Sequence, residues 1–213
     1  MDLYFNILDQ KRISILPKLA NFKEDFYLAG GTALALYFGH RDSVDFDFFS
    51  SKSFSVERLV SKIEKVFSGH KILIIQKEIG TLTVILDDEI KISFFEYDYC
   101  LIAQVVESEY MILASIPDIA CMKLSAICSR SLYKDYLDLF FIFQKFSLSQ
   151  LLQFCKDKFP SLDEQVILKS LLYFEDIEME PVIIKNGLEV SLAEIKSVFT
   201  KIVKEYMNYL VAK

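Results

Sequence analysis

Two aspartates, Asp45 and Asp47, stand two residues apart in the run Val44-Asp-Phe-Asp-Phe-Phe49, shortly after the triplet Gly30-Gly31-Thr32. Residues two apart in a strand leave the same face, so both carboxylates share one side while Val44, Phe46 and Phe48 take the other. Paired carboxylate oxygens are hard donors that suit a divalent cation such as Mg²⁺. A strand that runs into Gly30-Gly31 and opens a helix at Thr32 leaves uncapped N–H groups at the positive end of the helix dipole, where a phosphate is favoured. A glycine turn followed by a helix and an acidic strand is therefore a pattern for phosphate and metal chemistry. Neither half is specific alone, since Asp-x-Asp is commonly a solvated strand end.

The elements that must hold these groups follow from hydrophobic periodicity. Residues 26–29 read as a short buried strand, 32–38 as a helix and 44–49 as a second strand. Residues 3–19 predict an amphipathic helix or two short ones, and 55–67 a helix capped by Ser53 or Ser55. Three strands at 72–78, 81–86 and 90–97, joined through Ile79-Gly80 and Asp87-Asp88-Glu89, predict antiparallel hairpins, with a further edge strand at 111–114. Pro117-Asp118 opens a helix to about residue 129, and Ser131 is read as the cap of another over 132–144. Beyond Lys145 the pattern is helical, with capping boxes at 161–164 and 191–194 and a domain change near 146–149. The expected fold class is α+β, with a mixed, mostly antiparallel sheet flanked by helices in residues 1–146 and a C-terminal helical bundle in 147–213. The acidic run 175–180 predicts a solvated linker, with an acidic docking surface as the alternative.

Composition narrows the function classes. At 213 residues, 53% hydrophobic and 25% charged, the chain supports one substantial core or a domain with an appendage. Nineteen phenylalanines and no tryptophan supply large buried faces or an apolar surface for a partner protein. No apolar run reaches the roughly 18 residues of a membrane span, and no secretory leader is visible, so no membrane partner and a cytoplasmic location are expected. Cys100, Cys121, Cys128 and Cys155 lack metal or redox spacing and read as reduced thiols. A formal charge of −6 argues against non-specific coating of nucleic acid, which rests on Lys and Arg against phosphates, but allows one basic face. His40 and His70, without Cys/His spacing, give zinc no support.

The wider stretch Gly30-Gly-Thr-Ala-Leu-Ala-Leu36, His40-Arg-Asp-Ser43 and Asp45-Phe-Asp-Phe-Phe49 resembles the AbiEii/AbiGii toxin family of nucleotidyltransferases, which share the polymerase-β-like fold. A second block, Pro117-Asp-Ile-Ala-Cys-Met-Lys-Leu-Ser-Ala-Ile127, Arg130 and Lys134-Asp-Tyr-Leu-Asp-Leu139, is similar to later motifs of that family. The resemblance covers about residues 26–145. It implies transfer of a nucleoside monophosphate from a nucleoside triphosphate to an acceptor with release of pyrophosphate. It also implies the toxin half of a toxin–antitoxin or phage-defence pair, with a cognate antitoxin as partner. Several relatives act on the acceptor end of tRNA, so the implied acceptor is RNA.

Carried over residue by residue, Gly30, Gly31 and Thr32 would hold the triphosphate, with His40, Arg41 and Ser43 in the turn beside them, while Asp45 and Asp47 would bind Mg²⁺. Lys123, Arg130 and Lys134 fall at steps of seven and four, one face if the helix is continuous. Under the resemblance Lys123 and Lys134 would stabilise triphosphate charge, Arg130 would contact the nucleotide and Asp135 would orient a lysine or the acceptor; the alternative is a solvated basic stripe balanced by Asp135 and Asp138. One position departs from the fold's usual pattern. Ser93 stands where a third carboxylate is expected, with Glu89 at the strand start and Glu96 on the opposite parity. Asp118 or Asp135 could substitute, or the chain could be a degenerate nucleotide-binding or antitoxin-binding module. Transfer to a protein hydroxyl is a further alternative.

Overall fold

Phe46 and Phe48 are fully buried while Asp47 and Phe49 between and after them are not, and this alternation fixes which way the central strand faces. The computed structural model describes residues 2–211. Contacts divide it into two compact units, one running to Cys100 and including Gln104–Ser115, the other comprising Leu101–Ala103 and the residues from Ile116.

The first unit holds α1 (Gln10–Leu19), β1 (Tyr27–Ala29), α2 (Gly30–Phe38), β2 (Phe46–Ser50), α3 (Val56–Val66), β3 (Ile72–Glu78), β4 (Thr81–Leu86), β5 (Ile90–Glu96), β6 (Val106–Glu107) and β7 (Ile112–Leu113). Its seven strands lie in the order β3-β4-β5-β2-β1-β7-β6. The sheet is mixed: β2 pairs with β5, and β1 with β7, in parallel, while the β1–β2, β3–β4, β4–β5 and β6–β7 pairs are antiparallel. The two expected hairpins form, with Gly80 at φ +72° in one turn and Asp87 and Asp88 both at positive φ in the other. Asp9 caps α1 by accepting the Arg12 N–H at 2.9 Å, and Ser55 caps α3.

The phenylalanines supply the core. On one face of the sheet Phe94 meets Phe48 at 5.4 Å, Phe22 at 5.2 Å and Phe26 at 5.0 Å between ring centroids, and Leu28, Leu82, Val84 and Ile92 are buried with them. Each such side chain contributes about 1.5–3 kcal/mol by leaving water. The opposite face carries Asp47, Ser93 and Thr83, which are aligned across β2, β5 and β4.

The second unit holds α4 (Ile116–Ile127), α5 (Tyr133–Ile142), α6 (Leu148–Lys158), α7 (Glu164–Leu172) and α8 (Leu192–Val211). The division between units therefore falls ahead of α4 rather than near residues 146–149, because α4 packs its buried Ile119, Ala120, Leu124 and Ile127 within the helical unit, against α5, α6 and α7. Residues 146–149 hold the turn into α6, where Ser147 and Gln150 form a capping box absent from the sequence reading.

Three local expectations change for physical reasons. Asp163, not Ser161, caps α7, because the helix starts at Glu164. Ser131 does not cap α5; the N-cap is Leu132, without a side-chain cap, and the Tyr133 N–H donates instead to the Glu178 carbonyl at 3.0 Å. The Glu178 N–H in turn donates to the Ser131 carbonyl at 2.8 Å, so the acidic run is docked on the start of α5 rather than solvated throughout. Ser191 does accept the Glu194 N–H at 3.1 Å, as its spacing suggested.

Inside this unit a fully buried ion pair joins α4 to α6, with Lys158 Nζ 2.8 Å from Asp118 Oδ1. Asp118 also accepts the N–H groups of Ile102 at 3.0 Å and Ala103 at 3.4 Å, anchoring the three-residue crossing segment to the helical unit. Removing one partner of a buried pair strands the other charge, so Lys158→Met is expected to lower unfolding free energy by about 3–5 kcal/mol, read from the urea midpoint.

Candidate active site

The start of α2 is organised by Gly30 and Gly31. Gly30 has φ +70°, a left-handed conformation that side chains resist, and a Cβ added there would lie 3.5 Å from Asp47 Oδ2. At Gly31 a Cβ would fall 2.4 Å from an Arg41 guanidinium nitrogen, so the glycine lets this cation lie against the first turn. Arg41 is buried and donates through Nη1 to the Asp42 carbonyl at 2.8 Å. The N-cap of α2 is Ala29, which offers no side-chain cap, so the dipole and the first-turn N–H groups are not answered by a capping side chain.

Thr32 and Ser43 tie the turn to the helix. Thr32 Oγ1 donates its one hydroxyl proton to the Asp45 carbonyl, so in the 2.7 Å Thr32–Ser43 contact Ser43 is the donor. This link fixes the chain just before β2 and with it the direction of Asp45. His40 is fully buried, edge-on to Phe38 with 5.8 Å between centroids.

Asp47 lies in register with Ala29 of β1 and Ser93 of β5. Asp45 stands just ahead of β2, outside the strand, and Lys91 Nζ, from the Asp47 face of β5, approaches its Oδ2 at 3.4 Å. Lys91 is a residue the sequence reading did not single out; its parity with Ser93 was visible, but its approach to Asp45 depends on the parallel β2–β5 register, which no local pattern specifies. This ion pair is partly exposed, and the hard oxygen donors of Asp45 and Asp47 are of a kind that fits Mg²⁺ chemically.

The other acids considered for the third position are otherwise engaged. Ser93 stands directly beside Asp47 and is buried. Glu89 is ion-paired with Lys11, and Glu96 accepts from Ser53 at 2.7 Å. Asp118 is held by Lys158, as described above.

In the helical unit the structure brings Lys123, Arg130 and Asp135 together. Lys123 Nζ lies 2.5 Å from Asp135 and 2.7 Å from Asp138, and Arg130 Nε lies 2.8 Å from Asp135. Lys123, Asp135 and Asp138 are buried, whereas the Arg130 side chain is 52% exposed. Lys134 turns elsewhere and meets Glu180 at 2.9 Å. The three basic residues thus do not form one solvated stripe; α4 ends at Ile127 and α5 begins at Tyr133, so the helix is not continuous.

The sequence model of the family described as "Nucleotidyl transferase AbiEii toxin, Type IV TA system" matches residues 15–196. The chain belongs to the AbiEii family. An uncharacterized protein of Aquifex aeolicus (strain VF5) is 40% identical to this AbiEii chain over 193 residues, covering 86% of the chain and 89% of that protein. The nucleotidyltransferase toxin MenT4 of Mycobacterium tuberculosis H37Rv shares the fold at a TM-score of 0.62 and 12% identity, over 90% of this chain and 80% of that one. JHP933 from Helicobacter pylori is similar at a TM-score of 0.51 and 18% identity, over 99% of both chains. The mixed sheet and flanking helices of this AbiEii chain are therefore the nucleotidyltransferase fold expected from the sequence.

Burial disfavours the Asp135 carboxylate, but Lys123 and Arg130 outweigh that penalty and hold its pKa below the ordinary 3.8. A lowered folded-state pKa gives stability that is present above pH 3.8 and is lost as pH falls through the depressed value. Asp135→Asn leaves Lys123 paired with Asp138 and is expected to cost about 1.5–3 kcal/mol at neutral pH, the loss of charge-assisted hydrogen bonds, and to flatten the dependence of the urea midpoint on pH below 3.8. Urea titrations of both proteins across the acid range check this.

Proposed function

We propose that this AbiEii-family chain is a Mg²⁺-dependent nucleotidyltransferase that moves a nucleoside monophosphate from a nucleoside triphosphate to RNA, with tRNA as the acceptor, and that a cognate antitoxin restrains it. The observation that carries the reading is the approach of the Gly30 backbone to Asp47, with Asp45 just ahead of the same strand and the uncapped start of α2 beside them. Gly30, Gly31 and Thr32 would receive the triphosphate, with Arg41 and Ser43 supporting the turn. Asp45 and Asp47 would hold Mg²⁺, which supplies charge neutralisation at the phosphates when bound.

In the reaction an acceptor hydroxyl oxygen attacks the α-phosphorus and a new O–P bond forms. The bond from that phosphorus to the bridging oxygen breaks, pyrophosphate leaves with the electron pair, and the hydroxyl proton passes to water. The chain's own part is to fix the phosphates against the α2 N-terminus and orient the acceptor for in-line attack. Lys123 and Asp135 neutralise each other inside the helical unit, and there they hold α4 to α5. Arg130, with its exposed side chain, is the member of that cluster suited to meet a nucleotide.

Incubation with each α-labelled triphosphate, Mg²⁺ and total RNA tests the reading. Asp45→Ala and Asp47→Ala are each expected to reduce labelling of RNA by at least on the order of 100-fold. Equal labelling by wild type and either variant would remove the assigned metal role, and label confined to protein would replace the acceptor.

Ser93 beside Asp47 favours a second reading, a nucleotide-binding or antitoxin-binding module without turnover. It requires thermal stabilisation by triphosphate with no pyrophosphate released. Pyrophosphate release that depends on Asp45 would exclude it.

A further inference from the structure

The face that bears Asp47 and Ser93 continues into aromatic side chains. Phe49 lies in register with Phe95 across β2 and β5, and with Tyr27 across β1 and β2, one alternation beyond the Asp47–Ser93 pair. Phe49 is the hub: its ring lies 6.1 Å from Tyr27, 5.3 Å from Phe95 and 5.3 Å from Tyr97, and Tyr97 lies 5.0 Å from Tyr99. The core rings on the opposite face, Phe46, Phe48 and Phe94, are fully buried. Phe49, Phe95 and Tyr97 are only half-buried, and Tyr99 is 42% exposed. An aromatic surface open to solvent on the polar side of the sheet is not needed to complete the core.

Its position relative to the acids gives it a direction. Gly30 follows Ala29, the partner of Asp47, so the glycine turn lies toward Asp45, whereas Phe49 and Phe95 lie beyond Asp47 the other way along the strands. In-line displacement puts the attacking oxygen opposite the leaving pyrophosphate. With the phosphates at the glycine turn, the acceptor must approach from the aromatic side.

We propose that Phe49, Phe95, Tyr97 and Tyr99 form a stacking platform for unpaired bases at the end of the RNA acceptor; this rests on the transferase reading above. Every base has a π-face, so such a platform holds a single-stranded end without reading its sequence. Such a platform would let a chain of net charge −6 hold RNA, because the attraction comes from stacking rather than from neutralised phosphates. Asp98, exposed between Tyr97 and Tyr99, disfavours a phosphate at that point and leaves the rings for bases.

The test combines kinetics with binding. In the labelling assay the double variant Tyr97→Ala/Tyr99→Ala is expected to raise the KM for RNA about tenfold or more while the KM for the triphosphate stays put. Tyr97→Phe/Tyr99→Phe keeps the rings and is expected to restore the RNA KM. Circular dichroism and thermal melts check that both pairs are folded. An unchanged RNA KM in the alanine pair overturns the platform, and so does a rise confined to the triphosphate KM, which would give these rings to the incoming nucleobase.

Equilibrium binding separates this inference from the transferase reading. Anisotropy of a fluorescent oligoribonucleotide with an unpaired 3′ end is measured against wild type and both variant pairs, with and without Asp45→Ala. The expected pattern is about tenfold weaker binding by the alanine pair than by its parent, both with and without Asp45→Ala, and a shallow dependence on salt. Equal binding by the alanine pair overturns the platform whatever the labelling assay shows. Absence of RNA labelling by wild type, with this binding pattern intact, defeats the transferase reading and leaves the platform standing.

Discussion

The parity of β2 is the constraint on which the candidate site depends. Phe46 and Phe48 occupy the core face, so Asp47 and Phe49 must leave the other. A slip of one residue would drive the Asp47 carboxylate into a layer packed around Phe94 and expose two phenylalanines, and both changes are costly. The apolar core therefore aims Asp47, although that acid lies on the opposite face. The Thr32–Ser43–Asp45 link then fixes the point at which the strand begins, and Gly30 supplies the left-handed backbone, φ +70°, with which α2 starts beside Asp47. Burial sets the face, hydrogen bonding sets the register, and glycine supplies the backbone turn.

The helical unit uses charge in a different way. Lys123 bridges Asp135 and Asp138 from α4 to α5, and Lys158 bridges Asp118 from α6 to α4, all without appreciable exposure. Buried pairs of this kind gain little over apolar residues of the same volume, but a misaligned helix would leave a charge stranded. Their effect is to penalise every relative placement of α4, α5 and α6 except one. A nearby thiol pair shows how dry the interior is: Cys155 hydrogen bonding and burial push the Cys121 thiol far above its ordinary pKa, which keeps it protonated and unreactive.

The order of elements in the sheet unit was legible because each strand and helix announces its period and its turns locally. Gly80 and the acidic turn at 87–89 gave the hairpins almost to the residue, whereas the alternation of 44–49 placed the central strand two residues early, since β2 begins at Phe46 and leaves Asp45 just ahead of it. The same local logic failed where the deciding partner is distant in sequence. Ser131 looks like a cap, yet the start of α5 is completed by the backbone of Glu178. Lys123 and Lys134 look alike in spacing, yet one is buried between two aspartates and the other pairs with Glu180. The boundary between units was misplaced for a related reason: α4 is preceded by no linker, and only its packing assigns it to the helical unit. Lys91 and the Phe49–Phe95 pair required the parallel β2–β5 register, which periodicity cannot specify because it fixes a face and not a neighbour.

Ser93 changes the electrostatics of the site more than its hydrogen bonding. Three carboxylates aligned on one sheet face repel each other strongly when no cation is present, and the repulsion grows with burial. Position 93 is buried and adjacent to Asp47, so an acid there would be the most costly of the three to ionise. With serine at 93, Asp47 has no acid beside it across the β2–β5 register, and Lys91 gives Asp45 a cationic neighbour.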